Sequence, residues 1–324
     1  MMERILLALG LVALIVGAAA AGDIYVPDST PSGTCNNFPF NPNWSGANGE
    51  WRYQAVFTAA QLGNTPLLIT GLSLAPCSTG VFTATTFEIR MNNLTPSTHS
   101  TALDTNIGAS PTVVRGAAAF TWNTTNATWS PLAFTCPHQY DGKSDLVVEV
   151  RYIGGAMSGG FGGTVARAGA APRYFVYGTG AYTGTTGTSG GLTGFKVRLT
   201  CADVTPSTLG PSIGTTVKLA LDSYPDAGVS YVCASSLGAG PFMVGCWPVK
   251  LSVDGIFLIT ANNMLPALFQ NYQGVLDASG QATAAVNIPN IPVLVGIGVY
   301  TAFAGVAPGG LTVVSDNGLF RINP

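Results

Sequence analysis

The sequence predicts an all-β protein: two β-sandwich modules, jelly-roll or Ig-like, behind an export signal. Three observations carry that expectation. Short apolar–polar alternations, punctuated by Gly, Pro, Asn and Asp, run through the chain after its N-terminal apolar run, as in sandwiches and barrels. Helical periodicity is nearly lacking beyond that run. Composition agrees, with 41 glycines in 324 residues, 47% hydrophobic residues and only 9% charged ones. That apolar content excludes a disordered chain, and the length suits two domains.

The elements follow in order. Arg4, the apolar "ILLALGLVALIVG" and the small-residue "AAAAG" define a signal peptide over 1–21, cleaved after Ala21. An N-terminal sandwich is expected over 22–203, with strands at 51–57, 67–74, 86–91, 112–121, 129–134, 146–152, 173–177 and 194–200. The glycine-dense stretch from Gly154 to Gly194 reads as long loops around "RYFVY". The segment 204–214, "VTPSTLGPSIG", reads as a linker stiffened by Pro206 and Pro211. A C-terminal sandwich over 215–324 is expected to hold strands at 215–222, 229–235, 248–259, 282–288, 293–303, 311–314 and 318–322. A helical turn is expected in 262–270, kept short by Pro266. The ending "NGLFRINP" has neither an apolar tail nor a basic stop. The expectation is therefore a secreted or surface-held protein with no transmembrane segment once the signal is removed.

Six cysteines follow the signal peptide: Cys35, Cys77, Cys136, Cys201, Cys233 and Cys246. An even number behind an export signal reads as disulfides. No C-x-x-C pair and only two histidines argue against zinc. Cys233 and Cys246 flank a Gly/Pro turn and are expected to pair, contributing about 3 kcal/mol. The pairing of Cys35, Cys77, Cys136 and Cys201 is left open.

Net charge is −2, and the 13 basic residues are scattered singly. Without a basic stripe, nucleic acid is not an expected partner. Against that dilute background "YDGKSDLVVEVRY" stands out, with Asp141, Lys143, Asp145, Glu149 and Arg151. In "TFEIRM", Phe87, Ile89 and Met91 share one face, and Glu88 and Arg90 the other. In "LVVEVRY", Glu149 and Arg151 likewise face away from Leu146, Val148, Val150 and Tyr152. If the two strands are antiparallel neighbours, Glu88 faces Arg151 and Arg90 faces Glu149, each pair contributing roughly 0.2–1 kcal/mol. The cluster then reads as the wet face of a sandwich rather than a glycosidase carboxylate pair.

"GEWRYQAVF", "ITGLSL", "TTFEIRMNN", "TNIGASPTVV" and "YDGKSDLVVEVRY", in that order, resemble an exported β-sandwich module of planctomycete-like bacteria, also met in proteins with PEP-CTERM sorting tails. "IGTTVKLAL" and "IPNIPVLVGIGVYTAFA" resemble the C-terminal β-domain of the same exported proteins. The resemblance implies the fold and export. It supplies no catalytic residues, and this sequence lacks the sorting tail.

Other chemistry is weighed residue by residue. "DGKSD" offers Asp141 and Asp145 as candidate calcium ligands, the only cofactor expected; the competing reading is a plain turn at Asp141-Gly142. "GTSGG" matches G-x-S-x-G around Ser189, but its flanks are loop rather than strand and helix. "FTWNTTNATWS" places Trp122 and Trp129 about a polar hairpin tip, and with Tyr182 they form a candidate glycan platform. The leading expectation is a secreted or surface structural or adhesive protein without catalysis, its partners surface glycans or envelope proteins. A carbohydrate-binding protein and a secreted hydrolase are the alternatives.

Overall fold

The computed structural model describes residues 23–43, 49–224, 226–308 and 310–324. The expected signal peptide, 1–21, lies outside them. Among the described residues the protein is all-β, with antiparallel sheets grouped about two cores. No described helix is long and apolar enough to cross a membrane.

The first core spans Val26 to Cys201 and lies between two sheets. The larger sheet orders Ala156–Ser158, Gly80–Leu94, Asp145–Ile153, Trp51–Phe57, Arg173–Tyr177 and Thr188–Ser189, with Thr112–Thr124 also paired to Gly80–Leu94. The smaller sheet orders Ile24–Val26, Val197–Thr200, Gly71–Leu74 and Ser130–Leu132. The expected strand 67–74 is broken at Thr70, so Leu67–Ile69 pairs separately with His138–Tyr140. Phe82, Phe87, Trp122, Trp51 and Tyr152 fill the space between sheets, each burial contributing about 2–3 kcal/mol.

The larger sheet is covered on its other face too. The short helix α1, Leu103–Ile107, packs Leu103 and Ile107 against Val56, Leu94, Val147 and Tyr174. The central strand Trp51–Phe57 is consequently buried at every residue. A wet face was expected here. Val56 and Val147 on the polar side of their strands demand a cover, and α1 with the turn Ala181–Thr183 supplies it.

The second core runs from Ala202 to Ile322. One sheet orders Asp203–Pro206, Thr216–Asp222, Gln281–Asn287 and Phe269–Gln270; the other orders Gln273–Val275, Ser230–Ser236, Gly298–Ala307 and Gly310–Val314, with Gly318–Arg321 also on Gly298–Ala307. The expected linker 204–214 thus begins as a sheet strand. The expected strand 248–259 is Trp247–Val249 followed by helix α2, Gly255–Ala261, and residues 262–270 are turn and strand. Asp254 starts α2 by accepting a hydrogen bond from Phe257 N, a cap signal hidden among the β-branched residues that follow.

Candidate functional site

The charged residues singled out by sequence meet in the larger sheet of the first module. Register places Glu149 opposite Arg90 and Arg151 opposite Glu88. On its other side Asp145–Ile153 pairs with Trp51–Phe57, so Gln54 lies opposite Glu149 and Arg52 opposite Arg151.

Glu149 is wholly buried. Its Oε1 accepts from Arg90 Nε at 2.7 Å and from Arg90 Nη2. Its Oε2 accepts from Arg52 Nε at 2.8 Å and Gln54 Nε2 at 2.6 Å. Arg52 Nη1 also reaches Asp104 of α1 and the Gly184 carbonyl, each at 2.7 Å. Gln54 donates to the Leu103 carbonyl and accepts from Asn106 Nδ2, each at 2.8 Å. At the far end Arg151 Nε donates to Glu88 Oε2 at 2.5 Å, Tyr182 Oη donates to the same oxygen at 2.9 Å, and the Arg151 guanidinium lies over the Tyr182 ring. Arg52, Arg90, Glu149 and Asp104 form one network under α1, and Arg151, Glu88 and Tyr182 form a second beside it at the 181–183 turn. Both oxygens of the buried Glu149 are occupied by protein donors, which leaves that carboxylate no open face toward a substrate. The arrangement holds the cover on the sheet.

Sequence reasoning found four of these residues and missed Arg52, Gln54, Asp104 and Asn106. "WRYQAVF" carried the signal, since its alternation sets Arg52 and Gln54 on one face with Val56.

Asp141 caps the turn before strand Asp145–Ile153, accepting from Lys143 N, Ser144 N and Ser144 Oγ at 2.8, 2.8 and 2.6 Å. Asp145 is buried and accepts from Ala59 N at 3.3 Å and Ser97 N at 3.2 Å. The two carboxylates therefore serve different neighbours. Among the described residues no group of three or more His, Cys, Asp or Glu is placed to hold a metal.

The aromatic platform does not form on the surface. Trp122, 2% exposed, points into the first core against Phe40 and Phe161. Trp129, 7% exposed, packs on Tyr25 and donates its Nε1–H to the Ser29 carbonyl at 3.0 Å. The inward face of the Thr112–Thr124 strand takes Phe120 and Trp122, leaving Thr121 and Asn123 outside. Tyr182 is half-buried on the lattice.

Ser189 lies exposed in the short edge strand Thr188–Ser189, its hydroxyl accepting from Gly191 N at 3.4 Å. His99 Nδ1 bonds Tyr174 Oη at 2.6 Å, and His138 bonds Thr112 and Asn93. Both histidines are thus engaged with neighbours other than the serine.

The disulfides correct the sequence reading. Cys35 pairs with Cys77, and Cys246 pairs with Cys136 of the other module rather than with Cys233. Cys233 points into the second core and Cys201 into the first, both as free thiols. Cys246 sits instead at the exposed turn between Phe242–Val244 and Trp247–Val249, turned toward the first module. Nearness in sequence misled because strand alternation sends Cys233 inward and the hairpin sends Cys246 outward.

No protein-family model matches this chain, and no curated protein is significantly similar to it.

Proposed function

We propose that the protein is a non-catalytic structural or adhesive protein of the cell exterior. The observation that carries this reading is the Cys136–Cys246 disulfide, which joins the two modules covalently. Such bonds persist in oxidising compartments, and a bond across a module boundary serves mechanical integrity more directly than turnover. Supporting it, the strongest charge cluster is consumed inside the fold. The second module also carries exposed apolar side chains, among them Leu258, Met264, Val275 and Val293, of the kind that contact partners.

The test is fractionation of native cells. The expected result is co-sedimentation of the protein with the envelope or with filaments. Recovery as free monomer in the medium would sink the reading. A glycan array examines the sugar-binding alternative, which has lost Trp122 and Trp129 as a surface platform.

A further inference from the structure

The strand Asp203–Pro206 carries the chain from the first core into the second. It pairs antiparallel with Thr216–Asp222, in a register that sets Asp203 directly opposite Asp222. Like charges in a directly opposed pair destabilise antiparallel sheet. Asp203, Asp222 and Asp277 line one groove of about 400 Å³. Asp23 and Asp316 add negative charge at Asp203 from the N-terminal segment and from the turn before Gly318–Arg321.

Three of the neighbouring cations are already committed, and Lys218, on the same face of Thr216–Asp222 but four residues from Asp222, forms no ion pair among the described residues. Arg198 pairs with Asp23, Lys250 with Asp316 at 2.7 Å, and Arg321 donates to the Gly296 carbonyl at 2.9 Å. Asp203 accepts from Thr205 Oγ1 at 3.0 Å, and Asp222 from Gln281 Nε2 at 3.1 Å. Neither has an ion-pair partner among the described residues. The nearby Cys201 thiol, pushed far up by burial and by Asp23, Asp203 and Asp316, brings no positive charge.

We propose that Asp203 and Asp222 form a proton-operated latch on the strand that joins the modules. A proton on Asp203 lets the strand lie closed against Thr216–Asp222, and its loss loosens the pairing at that end. Desolvation raises the Asp203 carboxyl to about 6, with Asp222, Asp23 and Asp316 adding to the effect. A carboxyl raised in the folded state stabilises fully below its ordinary value, and that stabilisation fades as pH rises through about 6. The latch is therefore closed in mild acid and slack in mild base.

Hydrogen–deuterium exchange of the full, disulfide-intact chain tests this, with rates corrected for intrinsic exchange. In the wild type, peptides covering 203–206 and 216–222 should exchange about tenfold faster at about pH 8 than at about pH 5, while Trp51–Phe57 stays unchanged. Asp203→Asn should remove that dependence, and Asp222→Asn should weaken it. The same pH dependence in Asp203→Asn as in the wild type overturns the proposal. So does its suppression in the wild type by millimolar calcium, which would make the pair a cation site. Should either variant fail to fold, carboxyl NMR titration of the wild type decides. A midpoint near 6 for Asp203 supports the latch, and one below about 4.5 overturns it.

Discussion

Glu149 shows why a buried charge can be indispensable without adding much net stability. Taking an ion out of water costs several kcal/mol, which a well-formed lattice offsets and a broken one does not. Glu149→Gln leaves Arg52 and Arg90 facing an amide, and should lower stability by about 3–5 kcal/mol in urea titration. Glu88→Gln, at the wetter end beside a partly exposed Arg151, should cost about 1 kcal/mol or less. His138 supplies a pH dependence. It is buried, its Nε2 donates to Asn93 Oδ1 at 3.1 Å, and its Nδ1 accepts from Thr112 at 3.0 Å. Desolvation pulls it down to about 4, against a small opposing effect of Asp141. Between its ordinary value of 6.5 and about 4 the unfolded chain takes a proton that the folded chain refuses. Stability from this residue is thus present at neutral pH and lost as pH falls through that window. Asp203 acts with the opposite sign in nearly the same range. Urea midpoints measured from pH 7 down to about pH 4 should fall more steeply in Asp203→Asn than in the wild type, and less steeply in His138→Gln.

The turn Asp141–Ser144 illustrates an element specified locally. Gly142 has φ +76°, and a Cβ there would lie 2.5 Å from Pro66 N and 2.6 Å from the Thr65 carbonyl carbon. Gly142→Ala should therefore destabilise by more than the roughly 1 kcal/mol of an ordinary glycine replacement, read as a lowered melting temperature, while Lys143→Ala in the same turn should be nearly silent. The Asp-Gly pair made this turn legible in the sequence, as alternation did for Phe87, Ile89 and Met91. The matched Glu-x-Arg spacing likewise anticipated the pairing of Glu88 with Arg151 and of Arg90 with Glu149. What stayed hidden is what depends on distant packing. Nothing local says that α1 covers the larger sheet, although Val56 and Val147 among polar neighbours hint at it. The cap at Asp254 was outweighed by the β-propensity of "IFLIT", where tertiary packing on Ser230–Ser236 selects the helix. Trp122 misled because a strand residue two positions from a loop still obeys the inward–outward alternation, and Trp129 because, just before Ser130–Leu132, it packs on Tyr25 and bonds Ser29.

At the scale of the molecule, two cores meet between Cys201 and Ala202 and are tied three ways. Tyr224 Oη donates to the Trp129 carbonyl at 2.9 Å, Arg198 lies 3.4 Å over the Tyr224 ring, and Cys136 bonds Cys246. The disulfide closes a sequence separation of 110 residues, and such a loop contributes about 4–5 kcal/mol in the chain-entropy model. Calorimetry of the wild type should show one cooperative transition, and Cys136→Ser with Cys246→Ser should resolve two, one for each core. The same bond sets how the chain would respond to an applied pull. Tension applied between the ends crosses the sulfurs from Cys35 to Cys77, runs along the chain to Cys136, crosses again to Cys246 and continues toward the C-terminal end. Residues 137–245 lie outside that path, so the module junction and its aspartate latch bear none of the pull while the bond is intact. Under force the protein is thus a short tether with a sheltered middle, and reduction would lengthen it by feeding that reserve into the line.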